Sequence, residues 1–69
     1  MFIVIELQKT GPQVANIVTA YESLADAESK YHNILAAAAV SSVEAHSAIL
    51  LNHYGELIKR ECYTHSAEE

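Results

Sequence analysis

Cys62 and His65 stand in a C-x-x-H spacing, and His46 and His53 add two more imidazoles. This is the donor set that zinc takes. Geometry argues against it. In an extended strand, residues three apart point to opposite faces, and His53 falls at a hairpin tip. We therefore expect three exposed histidines, a small buried thiol and no metal site. Cys62 as a nucleophile would need a base and an electropositive setting. Arg60, two residues away on the same strand face, is the only group that meets either need, and a packed structural cysteine is expected. Glu28 and His32 are an i,i+4 pair in which a carboxylate could orient an imidazole for acid–base work. With no third partner, the expectation is a helix-surface pair.

Lys30, Tyr31 and His32, with Lys59 and Arg60 on the last strand, are the residues best suited to grip a small anionic ligand. Rings stack on bases and cations hold phosphates. Against this, Tyr31 lies in the middle of an apolar stripe and Lys30 already has Asp26 at i−4. No Gly-rich phosphate loop, G-x-S-x-G or constrained acid pair is present in the sequence. A domain this small leaves little room for a deep pocket, so a ligand would have to bind between subunits. The reading is a non-enzymatic protein without a cofactor.

The element that must position these groups is the stretch Ser23 to Ser42. Ser23 is a good N-cap, Asp26 stands three residues later, and Asp26 and Glu28 put acids near the positive end of the helix dipole. Leu24, Ala27, Tyr31, Ile34, Leu35 and Ala38 recur at helical spacing and form the core stripe. Ala36 to Ala39 are strong helix formers. Ser29, Asn33, Ala36, Ala37 and Val40 make a small-residue back suited to close approach. Phe2 to Gln8 and Val14 to Tyr21 are rich in branched residues and read as strands joined in a hairpin at Gly11-Pro12. His46 to Asn52 and Glu56 to His65 form a second hairpin. Its turn is either two residues, Tyr54-Gly55, or a longer loop that takes in Asn52 or His53.

The order ββαββ predicts an α+β fold, a four-stranded antiparallel sheet with one helix packed on one face. Residues 1–65 form a single domain and 66–69 a polar tail. On β-strand periodicity, Ile3, Ile5, Leu7, Ile17, Ile49, Leu51 and Ile58 should face the helix. The second face would then carry Phe2, Val4, Val18, Leu50, Leu57 and Tyr63. An exposed apolar face of this kind marks a contact surface, and the reading is self-association as a dimer or higher homo-oligomer, through that face or a sheet edge.

The totals point the same way. The chain has 69 residues, 51% of them hydrophobic, and one cysteine. A domain of this size buries only roughly 60% of the surface its unfolded chain exposes, and a lone cysteine cannot form an intrachain disulfide. A reducing compartment and a partner subunit are expected. Nine acids against four bases give a net charge of −5, which is no footprint for a nucleic-acid backbone. No apolar run reaches membrane-span length. The opening residues Met1 to Glu6 read as a strand and not a leader, so a cytoplasmic protein is expected.

Met1-Phe2-Ile3-Val4-Ile5-Glu6-Leu7-Gln8, Asn16-Ile17-Val18-Thr19-Ala20-Tyr21, Ala27-Glu28-Ser29-Lys30-Tyr31-His32 and Ala36-Ala37-Ala38-Ala39-Val40-Ser41-Ser42 resemble a group of small uncharacterised proteins encoded by phages and prophages of gut-type bacteria. The resemblance runs over nearly the whole chain, except at the first turn, where those proteins are slightly longer than Thr10-Gly11-Pro12-Gln13. It carries no catalytic motif. It implies the host cytoplasm and an accessory role by binding, against a host defence protein or a nucleotide signal. The alternative it implies is a virion structural or assembly component.

Overall fold

The structure, a computed structural model, describes residues 1–65; the expected polar tail lies outside the described residues. Strands β1 (Phe2–Thr10) and β2 (Gln13–Tyr21) lead into helix α1 (Leu24–Ala39), and strands β3 (Ala45–Asn52) and β4 (Leu57–Thr64) follow. All neighbours pair antiparallel in the order β2-β1-β3-β4. This is the expected ββαββ α+β fold, with β1 and β3 in the middle and β2 and β4 at the edges.

The helix begins as its residues dictate. Ser23 is extended, and its hydroxyl accepts from the Asp26 N–H at 3.2 Å. The helix ends without a glycine. Val40 is the C-cap, and the His65 Nε2–H donates to the Ala38 carbonyl at 3.0 Å. The Ala38 carbonyl thus accepts both from the imidazole and from the Ser41 N–H at 3.2 Å, which closes the helix end without glycine.

Both turns use glycine where φ is positive. Gly11 (φ 60°) opens the two-residue turn of the first hairpin, and Gly55 (φ 82°) closes the second. The second loop is the longer of the two expected forms. Asn52 N–H donates to Glu56 C=O at 3.0 Å, and the Asn52 side chain accepts from the Tyr54 and Glu56 N–H groups. This loop starts β4 one residue out of step, with Leu57 opposite Leu51. A bulge at Ile58 then restores the register, so that Lys59 pairs with Leu50, Arg60 with Ile49 and Cys62 with Ser47.

The core reverses the expected faces. Ala27, Tyr31, Ile34 and Ala38 of the helix are buried against Val4, Ala48 and Leu50, with Phe2, Tyr21 and Leu35 packed around them. The helix thus covers the mixed row of β1, Phe2, Val4, Glu6 and Gln8. The all-apolar row, Ile3, Ile5 and Leu7, lies on the other side, together with Ile49 and Leu51. Of the other residues expected under the helix, Ile17 stands on its side but is 53% exposed, and Ile58 falls at the bulge, 40% exposed.

Backbone chirality accounts for the reversal. Asn52 and Glu44 both bond across to β4, by Asn52 N–H to Glu56 and His65 N–H to Glu44. Even positions of β3 therefore bond to β4 and odd positions to β1. By the same alternation, even positions of β1 bond to β2. When an L-residue's side chain points at the viewer and its strand runs upward, its N–H and C=O turn to the right. The even side chains of β1 thus point at the viewer when β2 lies to the right. β2 and β3 are parallel, with β1 between them, and α1 joins them. A right-handed crossover, the hand found in nearly all such connections, must pass in front, over the even row.

Candidate functional site

The open face of the sheet is the largest feature that the fold leaves without a partner among the described residues. Its side chains stand in rows across β2, β1, β3 and β4: Ala20–Ile3–Leu51–Leu57, Val18–Ile5–Ile49–Arg60, Asn16–Leu7–Ser47–Cys62 and Val14–Lys9–Ala45–Thr64. The first two rows are apolar except for Arg60, and the polar groups gather toward the other end. At the edges Val18 is 61% and Leu57 59% exposed. Strands about 4.8 Å apart and residues about 3.3 Å apart make the whole face roughly 500 Å2, of which the two apolar rows are about half.

No described carboxylate projects from this face. Glu6 and Glu61 lie on the helix side of the sheet, Glu22, Asp26 and Glu28 in or just before the helix, and Glu44 and Glu56 in connections. Of its two cations, Lys9 is drawn to the rim, where its ammonium donates to Glu44 at 2.6 Å and to the Gly11 carbonyl at 2.9 Å. That hydrogen bond and the Lys9 charge hold the Glu44 carboxyl below its ordinary range. An acidic chain thus keeps one face free of negative charge.

The expected contact set divides between the two faces. Val18 and Leu57 belong to the open face. Phe2, Val4, Leu50 and Tyr63 stand on the helix side, Val4 and Leu50 fully buried. The reason is the crossover geometry above, which inverts every β1 and β3 assignment at once. Ile3, Ile5, Leu7, Ile49 and Leu51 take the place of the misassigned residues.

The expected ligand-gripping residues divide between the two sides of the sheet, four on the helix side and Arg60 on the other. Tyr31 is buried, and burial, with Glu61 nearby, pushes its phenol above the ordinary range. Lys59 is paired with Glu28 at 3.1 Å. Lys30 lies where its charge acts on Glu6. His32 is exposed on the helix and stacks edge-on against Tyr31 with ring centroids 5.5 Å apart. Arg60 lies on the opposite side of the sheet from all four.

His53 is exposed at the hairpin tip as expected, whereas His46, His65 and the cysteine depart from expectation. Cys62 is exposed on the open face and not buried. His53 sits at the second hairpin's tip beside Met1, and His65 at the helix end. His46 is buried beneath the helix, where its Nε2–H donates to Glu6 Oε2 at 2.6 Å; Gln8 donates to the same oxygen at 3.0 Å. Among the described residues no three of His, Cys, Asp and Glu are grouped to hold a metal. Sequence spacing does not reveal the Glu6–His46 pair, because the two residues stand 40 positions apart and meet only when β1 pairs with β3 beneath the helix.

Comparisons with protein-family models, with curated proteins and with solved structures find no match to this chain. No described helix is long and apolar enough to cross a membrane.

Proposed function

We propose that this chain is a non-catalytic phage accessory protein that works by binding, as a homo-oligomer whose contact surface is the open sheet face. The observation that carries the reading is the acid-free apolar face itself. Two copies packed face to face would bury roughly 1,000 Å2, the lower bound for a specific interface, at the spacing of about 10 Å usual for stacked sheets. Arg60 lies on an edge strand, so it reaches solvent at the rim of such a pair.

The phage setting rests on the resemblance in the sequence, and action in the host cytoplasm against host defence is the role that fits it. Within that role, a protein target is favoured over a nucleotide signal. Arg60 lies across the sheet from Lys30, Tyr31, His32 and Lys59, Tyr31 is buried and Lys59 is paired with Glu28, whereas an apolar face suits another polypeptide.

Light scattering at micromolar concentration tests the reading. The expected mass is a multiple of the 7.6 kDa chain, and Ile49→Lys, which places a charge in the centre of the face, lowers it. A stable monomer would remove the proposal. Recovery of the chain from purified phage particles would replace the anti-defence role with a virion one, and stabilisation by cyclic nucleotides or ADP-ribose derivatives would restore the nucleotide target.

A further inference from the structure

We infer that β2 is a second self-association site, pairing antiparallel with β2 of another copy in a register centred on Ile17. This rests on the homo-oligomer reading and specifies a contact separate from the open face.

The two edges of the sheet are built differently. β4 has Lys59, Arg60 and Glu61 in sequence and a bulge at Ile58. Charges and bulges are the usual guards against edge-to-edge pairing. β2, Gln-Val-Ala-Asn-Ile-Val-Thr-Ala-Tyr, has nine residues without a charge, a proline or a break in register. On the helix side of β2 Ile17 is 53% exposed, and on its open-face side Val14 and Val18 are 59% and 61% exposed.

The alternation of hydrogen bonds says which groups are free. Even positions of β1 bond to β2, so Gln13, Ala15, Ile17, Thr19 and Tyr21 turn inward. Val14, Asn16, Val18 and Ala20 turn their N–H and C=O groups to the outside. In a two-fold pairing about Ile17, Val14 meets Ala20 of the other copy and Asn16 meets Val18. All four outward residues then form hydrogen-bonded pairs over the full strand. No other centre uses all nine residues. A chain of net charge −5 would repel its copies at most surfaces, and this neutral strand is where they can approach. The pairing also carries the open faces of both copies into one continuous surface through Val14, Val18 and Ala20.

At the centre, the two Ile17 residues form a non-hydrogen-bonded pair with Cα atoms about 4.5 Å apart, a separation that a disulfide spans. The test uses the full chain with Cys62→Ser, oxidised with diamide. Ile17→Cys should cross-link to a dimer. Ala15→Cys and Thr19→Cys should each remain single alone and cross-link when mixed. Ile17→Lys, which sets two ammonium groups against each other on a site already open to solvent, should halve the mass seen by light scattering. Circular dichroism checks that it remains folded. No cross-link from Ile17→Cys, with the mass unchanged by Ile17→Lys, overturns the edge pairing, including the case in which some other extended peptide occupies β2. If Ile49→Lys still lowers the mass in that event, the open-face reading stands. If Ile17→Cys cross-links while Ile49→Lys leaves the mass unchanged, the edge pairing stands without it.

Discussion

Glu6 is the residue that the fold treats least conventionally. It stands in a β-strand under a helix, mostly removed from water, with His46 and Gln8 bonded to one of its oxygens. Burial alone would raise its carboxyl. Hydrogen bonds from His46 and Gln8 and the charges of His46 and Lys30 outweigh burial and hold it below its ordinary value of 4.5. Because the folded value is the lower one, Glu6 stabilises the fold above the unfolded carboxylate range, and that contribution is lost as pH falls through the folded value. Urea midpoints measured from pH 6 downward should fall with pH from about 5, and Glu6→Gln should flatten that dependence. His46→Leu leaves the carboxylate without its closest donor and should cost about 2 kcal/mol. Replacing both partners, Glu6→Leu with His46→Leu, should recover most of that loss, since an apolar pair needs no desolvation. Denaturant titration of the three variants measures it. His46 Nδ1 has no hydrogen-bond partner among the described residues, which adds to what the apolar replacement would relieve.

At the scale of elements, the helix and both hairpins were legible because local chemistry writes them. Ser23 caps, Asp26 follows, the stripe keeps its period from Ala27 to Ala38 although Leu24, expected at its start, is 40% exposed, and glycine stands at each turn. Ser23→Ala should lower stability by about 1 kcal/mol, read as a shift in the urea midpoint at constant slope. What was not legible by hydropathy was the face of the sheet. Ile3, Ile5 and Leu7 form a wholly apolar row, and hydropathy alone places them in the core. The row that does lie under the helix includes Glu6 and Gln8, and it is tolerated there because His46 and Gln8 both hydrogen-bond the Glu6 carboxylate. The deciding information was in the turn. Two residues, Gly11 and Pro12, between Thr10 and Gln13 set the bonding parity of β1, and the hand of the crossover did the rest. Hydropathy reports which residues avoid water. It does not distinguish a core from an interface.

For the whole molecule, the consequence is a small fold that covers only one side of its sheet. A 69-residue chain with an apolar row left in water has little stability to spare, and association is the natural remedy. Melting temperature should therefore rise with protein concentration, because any partner that binds only the folded form stabilises it by mass action. Ile49→Lys should weaken that dependence. Differential scanning calorimetry over a hundredfold concentration range would show it. The expected ligand residues were not legible as a site for a related reason. Lys59 and Arg60 are neighbours in sequence and so point to opposite sides of the sheet, and no pattern along a strand reveals which side the helix takes.

The place of β1 between β2 and β3 also sets an order of events for the chain as it folds. The pairs β1–β2 and β3–β4 are each local hairpins, which form within about 1–10 μs. The pairing that joins them, β1 with β3, links residues 36 to 50 positions apart, from Lys9 with Ala45 to Phe2 with Asn52. Closing that span is the slow step, since loop entropy must be lost before the long-range contacts form. During synthesis, β1 and β2 emerge first, and β1 waits for its second neighbour while the helix and β3 are made. In that interval Ile3, Ile5 and Leu7 are open on a two-stranded ribbon whose outer edge, β2, carries no charge. If copies pair through β2 as inferred above, crowded nascent chains would meet through that edge before any one of them is complete, and assembly would begin on the way to the fold rather than after it.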